Sequence, residues 1–295
     1  MASRSSGDVR IGVSGWRYPP WRGTFYPADL PQRSELAYAA QRLRTIEING
    51  SFYSLQTPAS YRSWHDATPE DFRFAVKGGR YITHMRRLRD IAAPLANFFA
   101  SGLAELRGKL GPVLWQFPPN FAFDEALVEA FLAALPHDAD AATRLARGHD
   151  DRLRAPARVT YPTACRLRHA MEVRHPSFAV PSFIALLRRY DVAFVVADTA
   201  KKWIEREDVT ADFVYVRLHG AEELYRSGYT EAELDAYAQR IERWACGRAP
   251  ADARLIAPGA PAATRPRDVY CYFDNTDKRE APGNAIRLAA KLAPG

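Results

Sequence analysis

Cysteine is scarce in this 295-residue chain: Cys165, Cys246 and Cys271 form an odd set with no CxxC spacing. That excludes a disulfide scaffold and a thiolate zinc site. No stretch approaches the roughly 20 consecutive apolar residues that a membrane helix needs. The opening MASRSSGDVR has arginine but no apolar segment after it, so neither a membrane partner nor a signal peptide is expected, and the cytoplasm is the expected compartment. Several catalytic signatures are missing as well. Gly12-Val13-Ser14-Gly15 lacks the GxSxG elbow, no GxxxxGK[ST] loop occurs, and no GxGxxG follows a strand. An elbow-type serine hydrolase, a P-loop ATPase and a Rossmann oxidoreductase are thereby set aside. There is no HExxH, no fixed-period repeat and no heptad array.

What the chain does have is eight short apolar runs alternating with helix-like stretches. They are 11–15, 45–49, 72–77, 112–117, 169–174, 192–198, 212–220 and 268–275. Runs such as VAFVV and PVLW show little polar alternation, as befits parallel strands covered on both faces. The spacing predicts an α/β fold, a TIM-like (β/α)8 barrel, irregular around strand 6, where TAKKWIEREDVTA leaves room for only a short helix. With 47% hydrophobic residues, a barrel of about 250 residues fits as one domain. The expected organisation is a flexible 1–10 and one barrel over 11–295, with long connections at 137–168 and 247–268. Thr57-Pro58 reads as a helix start, and Thr230 with Glu233 reads as a capping box opening 231–246. Apolar residues at helical intervals mark 90–107 and 124–135 as helices on the barrel exterior.

Each run closes on a polar group: Ser14, Glu47, Asn49, Lys77, Gln116, Glu172, Arg174, Asp198, Arg217, His219 and Asn275. In such barrels the C-terminal strand ends carry the reacting groups. Side chains alternate faces along a strand, so Glu47 with Asn49, Glu172 with Arg174, and Arg217 with His219 each point the same way. If these pairs face inward they converge, and the rim's three acids (Glu47, Glu172, Asp198) and three cations (Lys77, Arg174, Arg217) must pair or bind something polar. His219, Glu172, Glu47 and Asp198 are the acid–base candidates, His219 being the preferred proton carrier. Lys77, Arg174 and Arg217 are candidates to hold an anion, arginine through its bidentate fork. Asn49, Gln116 and Asn275 complete the polar rim. No cofactor is expected. A divalent metal on Glu47, Glu172, Asp198 and His219 is disfavoured, because the three cations at the same rim would repel it.

Two further stretches carry charge or rings. Residues 15–27 interleave Trp16, Tyr18, Trp21, Phe25 and Tyr26 with arginine. Such a stretch can stack on bases or sugars, but Trp16 and Trp21 are read chiefly as a lid over the barrel. After the third strand, Arg80, His84, Arg86, Arg87 and Arg89 surround Gly78 and Gly79, whose amides could approach an anion. Tyr53, between these regions, joins the ligand-binding candidates. The net charge of +7 and 35 arginines among 41 basic residues favour an anionic small molecule or nucleic acid as partner, unless the excess is a solvated surface. Composition says nothing of oligomeric state.

The motifs SGWRYPPWRGTFYP, EINGSFY, KGGRYITHMRRL, LGPVLWQFPP, EVRHPSF, YVRLHG and YFDNT stand in order from about residue 11 to 292. In them the chain resembles the family known as domain of unknown function 72, the YecE-like proteins. That resemblance implies a TIM-like barrel and supplies no reaction. The 137–168 and 247–268 segments look long or divergent for that family. Three readings of function stand: an enzyme with hydrolase-type acid–base chemistry on a phosphate-bearing or other anionic ligand, a nucleic-acid-binding protein without catalysis, and a structural or adaptor barrel. The last requires a closed ionic network with no open cavity.

Overall fold

Eight parallel strands close into a barrel in chain order: β1 Val9–Ser14, β2 Thr45–Ile48, β3 Arg73–Lys77, β4 Leu110–Gln116, β5 His169–Glu172, β6 Val192–Asp198, β7 Phe213–Leu218 and β8 Asp268–Phe273. The structure is a computed structural model and describes residues 6–163, 165–220, 228–258, 265–275 and 279–293. Each expected apolar run is a strand. β1 begins at Val9, earlier than the sequence suggests, because Val9 and Arg10 pair with Val269 and Tyr270 of β8 and so seal the barrel. Residues 1–5 of the expected N-terminal segment and 259–264 of the second long connection lie outside the described residues.

The helices among the described residues are α1 Glu35–Ala40, α2 Gly50–Tyr53, α3 Pro58–Asp66, α4 Ala92–Ala100, α5 Glu125–Ala134, α6 Ala139–Ala146, α7 Pro181–Arg189, α8 Glu231–Ala245 and α9 Ala281–Lys291. Both expected caps form: Thr57 accepts from the Ser60 amide, and Thr230 and Glu233 close a reciprocal box. The continuous helix read over 90–107 is instead broken after α4. Gly102 turns the chain at φ +124°, and a Cβ there would lie 2.6 Å from Pro58 Cα at the start of α3, so the close approach requires glycine. A 3-10 segment, Leu103–Lys109, follows. The 137–168 connection is not merely a loop, since α6 docks on α4 within it. Between β6 and β7 no helix forms among the described residues. There the Glu205 carboxylate accepts from the Thr199 and Lys201 amides and the Thr199 hydroxyl, and this turn replaces the short helix.

Side-chain parity divides the core in two. Outward residues of the strands pack under the helices in one large apolar layer, while Ala75, Leu114, Ala170, Ala193, Val195, Ala197, Phe213, Tyr215, Tyr270 and Tyr272 fill the barrel. The filling is lopsided: β3, β5 and β6 contribute alanines, and β7 and β8 contribute the rings that occupy the space. Tyr215 and Tyr272 lie 5.1 Å apart, and the Tyr272 hydroxyl is 2.8 Å from Thr45 Oγ1. These rings form the floor on which the polar strand ends rest. Among the described residues, no helix is long and apolar enough to cross a membrane.

Candidate active site

Strand register sets the first polar layer. Ser14 is level with Glu47, Gln116 with Glu172, and Arg217 with both Ala197 and Tyr272. All of these share the inward parity of the barrel filling, so the layer faces itself. Arg217 is fully buried. Its Nε and Nη2 donate to the two oxygens of Glu47 at 3.1 and 2.9 Å, Nη1 donates to Glu172 at 2.6 Å, and Nη2 also reaches Asp274 at 2.8 Å. The Tyr215 hydroxyl donates to Glu47 at 2.6 Å, and Ser14 Oγ does so at 2.5 Å while accepting from Asn49 Nδ2 at 2.7 Å. Burial alone would raise the Glu172 carboxyl and lower the Arg217 guanidinium. The ion pairs override it, holding Glu172 well below the usual carboxylate range and Arg217 well above its own.

Above this layer opens a cavity of about 740 Å³. The ends of five strands and the loops after them line it: Asn49, Phe52 and Tyr53 from β2, Lys77, Arg80, His84 and Met85 from β3, Gln116, Pro118 and Pro119 from β4, Arg174 from β5 and Asp274 from β8. Arg174 is fixed from two sides. It pairs with Glu172 at 2.8 Å and lies 3.8 Å over the Trp203 ring. Lys77 Nζ lies 4.3 Å over the Phe52 ring. Burial, and then the neighbouring Arg217 charge, bring the Lys77 amine down to about 8 against the pull of Glu47, Asp274 and Glu172. His84 falls to about 4 through burial and the charges of Lys77, Arg174 and Arg80, so it stands as a neutral imidazole beside the amine. Residues Tyr81–Met85 form a π-helical turn, a rare geometry that carries His84 and Met85 to the cavity wall.

The three same-face pairs read from the sequence do converge, yet not all of them reach the cavity. Glu47, Glu172 and His219 are buried beneath the cavity rather than on its wall. His219 lies within the network, Nε2 at 3.9 Å from Glu172 and Nδ1 at 3.5 Å from Asp274, so its place as proton carrier to a ligand in the cavity is not supported. Arg217 is spent on three carboxylates and does not present its fork to the cavity. Asp198 is on the wrong face of β6: its carboxylate accepts from the Tyr229 and Tyr237 hydroxyls on the α8 side, and burial raises its pKa. Asn275 also points outward, with its Nδ2 3.5 Å from Asn284 of α9.

The residue that sequence reading missed is Asp274, one position earlier. It shares parity with Tyr270 and Tyr272, and counting alternation through β8 would have found it. Lys77, Arg174, Asn49, Gln116, Tyr53, Arg80 and His84 do line the cavity. Trp16 does not. It packs edge-on against Trp64 beside a separate depression of about 240 Å³, and Trp21 is enclosed by Tyr18, Phe25 and Tyr26, so both rings are fixed core rather than a lid. In the basic run, Arg86 pairs with Asp90, Arg87 donates to the Asn120 carbonyl, and the Gly78 amide is already bonded to Leu114. Gly78 is required by Trp115, whose ring would lie 2.3 Å from a Cβ there. Of the side chains weighed for a divalent ion, Glu47 and Glu172 pair with Arg217 and Asp198 lies on the outer face of β6, and among the described residues no group of three or more His, Cys, Asp or Glu is disposed to hold one.

A closed parallel (β/α)8 barrel with ionisable groups gathered at its C-terminal strand ends defines a TIM-like barrel protein. Within that class the chain belongs to the family described as protein of unknown function DUF72, whose profile matches residues 10–295. It is similar to a DUF72 family protein of Thermotoga maritima MSB8, whose crystal structure superposes at a TM-score of 0.71 with 25% identity, covering 97% of this chain and 99% of that one. UPF0759 protein YunF of Bacillus subtilis is 29% identical over 118 residues, 38% of this chain and 41% of the relative. UPF0759 protein YecE of Escherichia coli K12 is 29% identical over 129 residues, 43% and 44% of the two chains. The matched region therefore spans less than half the length of these curated relatives.

Proposed function

We propose that this protein is an enzyme that applies acid–base chemistry to an anionic, phosphate-bearing ligand in the mouth cavity, with hydrolysis as its reaction class. The observation that carries this reading is the sign of the wall: Lys77, Arg80 and Arg174 face the space against the Asp274 carboxylate. Arg174, pre-oriented by Glu172 and Trp203, offers the planar donor set that suits a phosphate oxygen pair. Lys77, titrating at about 8, can exchange a proton near neutral pH, and Asp274 is the carboxylate on the same wall. The buried network beneath is a support that fixes Arg174 and sets the field on Lys77.

A second reading, nucleic-acid binding without catalysis, is favoured by one feature. Tyr53 and Met85 are 66% and 63% exposed at the rim, and the Arg80 guanidinium lies 5.6 Å over the Tyr53 ring, a surface on which bases could stack. Calorimetric titration of the parent, Arg80→Ala and Arg174→Ala proteins with inorganic phosphate, and with a single-stranded oligonucleotide across a salt series, separates the two. The enzyme reading expects phosphate to bind and each variant to lose about tenfold in affinity, as for one charge-assisted contact. Phosphate affinity equal in all three proteins would sink it. Steeply salt-dependent oligonucleotide binding with no phosphate binding would give the second reading instead.

A further inference from the structure

The chain has only six lysines, and the surroundings of Lys77 differ from those of the other described ones. Lys109 donates to the His65 and Thr68 carbonyls at 2.7 Å each. Lys291 pairs with Asp235 and Glu231. Lys201 and Lys202 are exposed, and Lys278 lies outside the described residues. Among the described lysines, Lys77 alone couples burial with an opening into a cavity: it is 9% exposed, its Nζ rests over Phe52, and the carboxylates whose charge it feels, Glu47, Asp274 and Glu172, are all bound to Arg217. It forms no ion pair among the described residues. An amine that serves only to anchor an anion, or only to balance a carboxylate, does not need to be kept from water and from counterions in this way. Such an environment favours the uncharged amine, the form that attacks carbon.

We propose that Lys77 is a nucleophile that condenses with the carbonyl carbon of an anionic oxo compound, the ligand's negative group lying on Arg80 and Arg174. This extends the reading of the mouth cavity as an anion site and rests on it. The Nζ lone pair bonds to the carbonyl carbon while the C=O π pair moves to oxygen. A proton passes from nitrogen to that oxygen to give a carbinolamine. Protonation of its hydroxyl and loss of water then form the C=N bond, and the imine, once protonated, draws electrons from the adjacent carbon. Asp274, on the same wall, is placed to carry the proton. At a titration point of about 8, roughly a tenth of the amine is free base at pH 7, against fewer than one in a thousand for an ordinary lysine. The cavity of about 740 Å³ is of the size that holds a small metabolite.

The test is reductive trapping. The full chain is incubated at pH 7 with pyruvate, and separately with the neutral aldehyde butanal, in the presence of cyanoborohydride, and labelled lysines are mapped by peptide mass spectrometry. The expected result is pyruvate labelling of Lys77 at least tenfold faster than of Lys201 or Lys202, with a rate that climbs between pH 7 and pH 9. Arg80→Ala and Arg174→Ala should slow labelling by pyruvate by a larger factor than labelling by butanal. Lys77→Arg, checked for folding by circular dichroism, should abolish the preferred label. Labelling by butanal but not pyruvate overturns the anionic substrate class, and failure of both reagents at Lys77 overturns the nucleophile. Phosphate binding, measured independently as above, shows whether the anion site itself stands when the amine does not react.

Discussion

The two ends of the barrel are built from the same chemistry and solve opposite problems. At the N-terminal end Arg10 pairs with Asp8, Arg168 with Asp268 at 2.7 Å and with Asp212 at 3.5 Å, and Arg166 with Asp212, around a depression of about 330 Å³. At the C-terminal end Arg217 pairs with Glu47, Glu172 and Asp274. The difference is water. Arg168 retains 18% exposure and Asp268 26%, whereas Arg217 and Glu47 retain none. Ions that keep solvent can lose a partner cheaply, and those that do not must have every partner in place. The lower ring therefore finishes a barrel. The upper network is rigid by necessity, and Lys77, Arg80 and Arg174 line the cavity above it.

The largest expected effect tests that contrast. Arg217→Met strands the Glu47, Glu172 and Asp274 carboxylates, and urea unfolding should show a loss of about 3–5 kcal/mol. Arg168→Met at the lower ring should cost about 1 kcal/mol or less. Equal losses would erase the distinction between the ends. The next effect concerns Lys77, which titrates at about 8 when folded and near 10.5 when unfolded. The unfolded chain holds the extra proton between those values. The penalty for burying the charge is thus full below pH 8, shrinks as pH rises and is gone above pH 10.5. Lys77→Met should accordingly be more stable than the parent at pH 7, by about 2–3 kcal/mol, with the gap closing toward pH 10.5. A gap that stays constant with pH would contradict a charged, desolvated amine. The smallest effect compares the two faces of the mouth. Asp198→Asn, among Tyr229 and Tyr237 on the outer face, should cost about 1 kcal/mol and leave phosphate affinity unchanged, since it is remote from the cavity.

Much of this was legible along the chain because barrel strands announce themselves. A parallel strand covered on both faces reads as an unbroken apolar run, and all eight runs are strands. Alternation was equally informative where it was followed: Glu47 with Asn49, Glu172 with Arg174 and Arg217 with His219 do point inward together. It failed where the run was read only to its last polar residue. Asp198 and Asn275 end their runs on the outer parity, while Asp274, inside, stood beside Asn275 and was passed over. The aromatic stretch at 15–27 misled for another reason. Ring content alone does not tell a lid from a core, and Trp21 is enclosed by neighbours as far away as Tyr38 through Phe25 and Tyr26.

The order of apolar runs and caps determined the barrel and the end at which its polar side chains gather, because period and capping are local properties that each segment carries with it. Which charges are spent and which remain could be decided only in three dimensions. Arg217 is saturated because β2, β5 and the end of β8 bring carboxylates to one point, and Lys77 is a weakly basic amine because its burial and the nearby Arg217 charge together outweigh the pull of those carboxylates. Desolvation and pairing depend on distances between residues 45 to 170 positions apart, and no reading along the chain contains those distances.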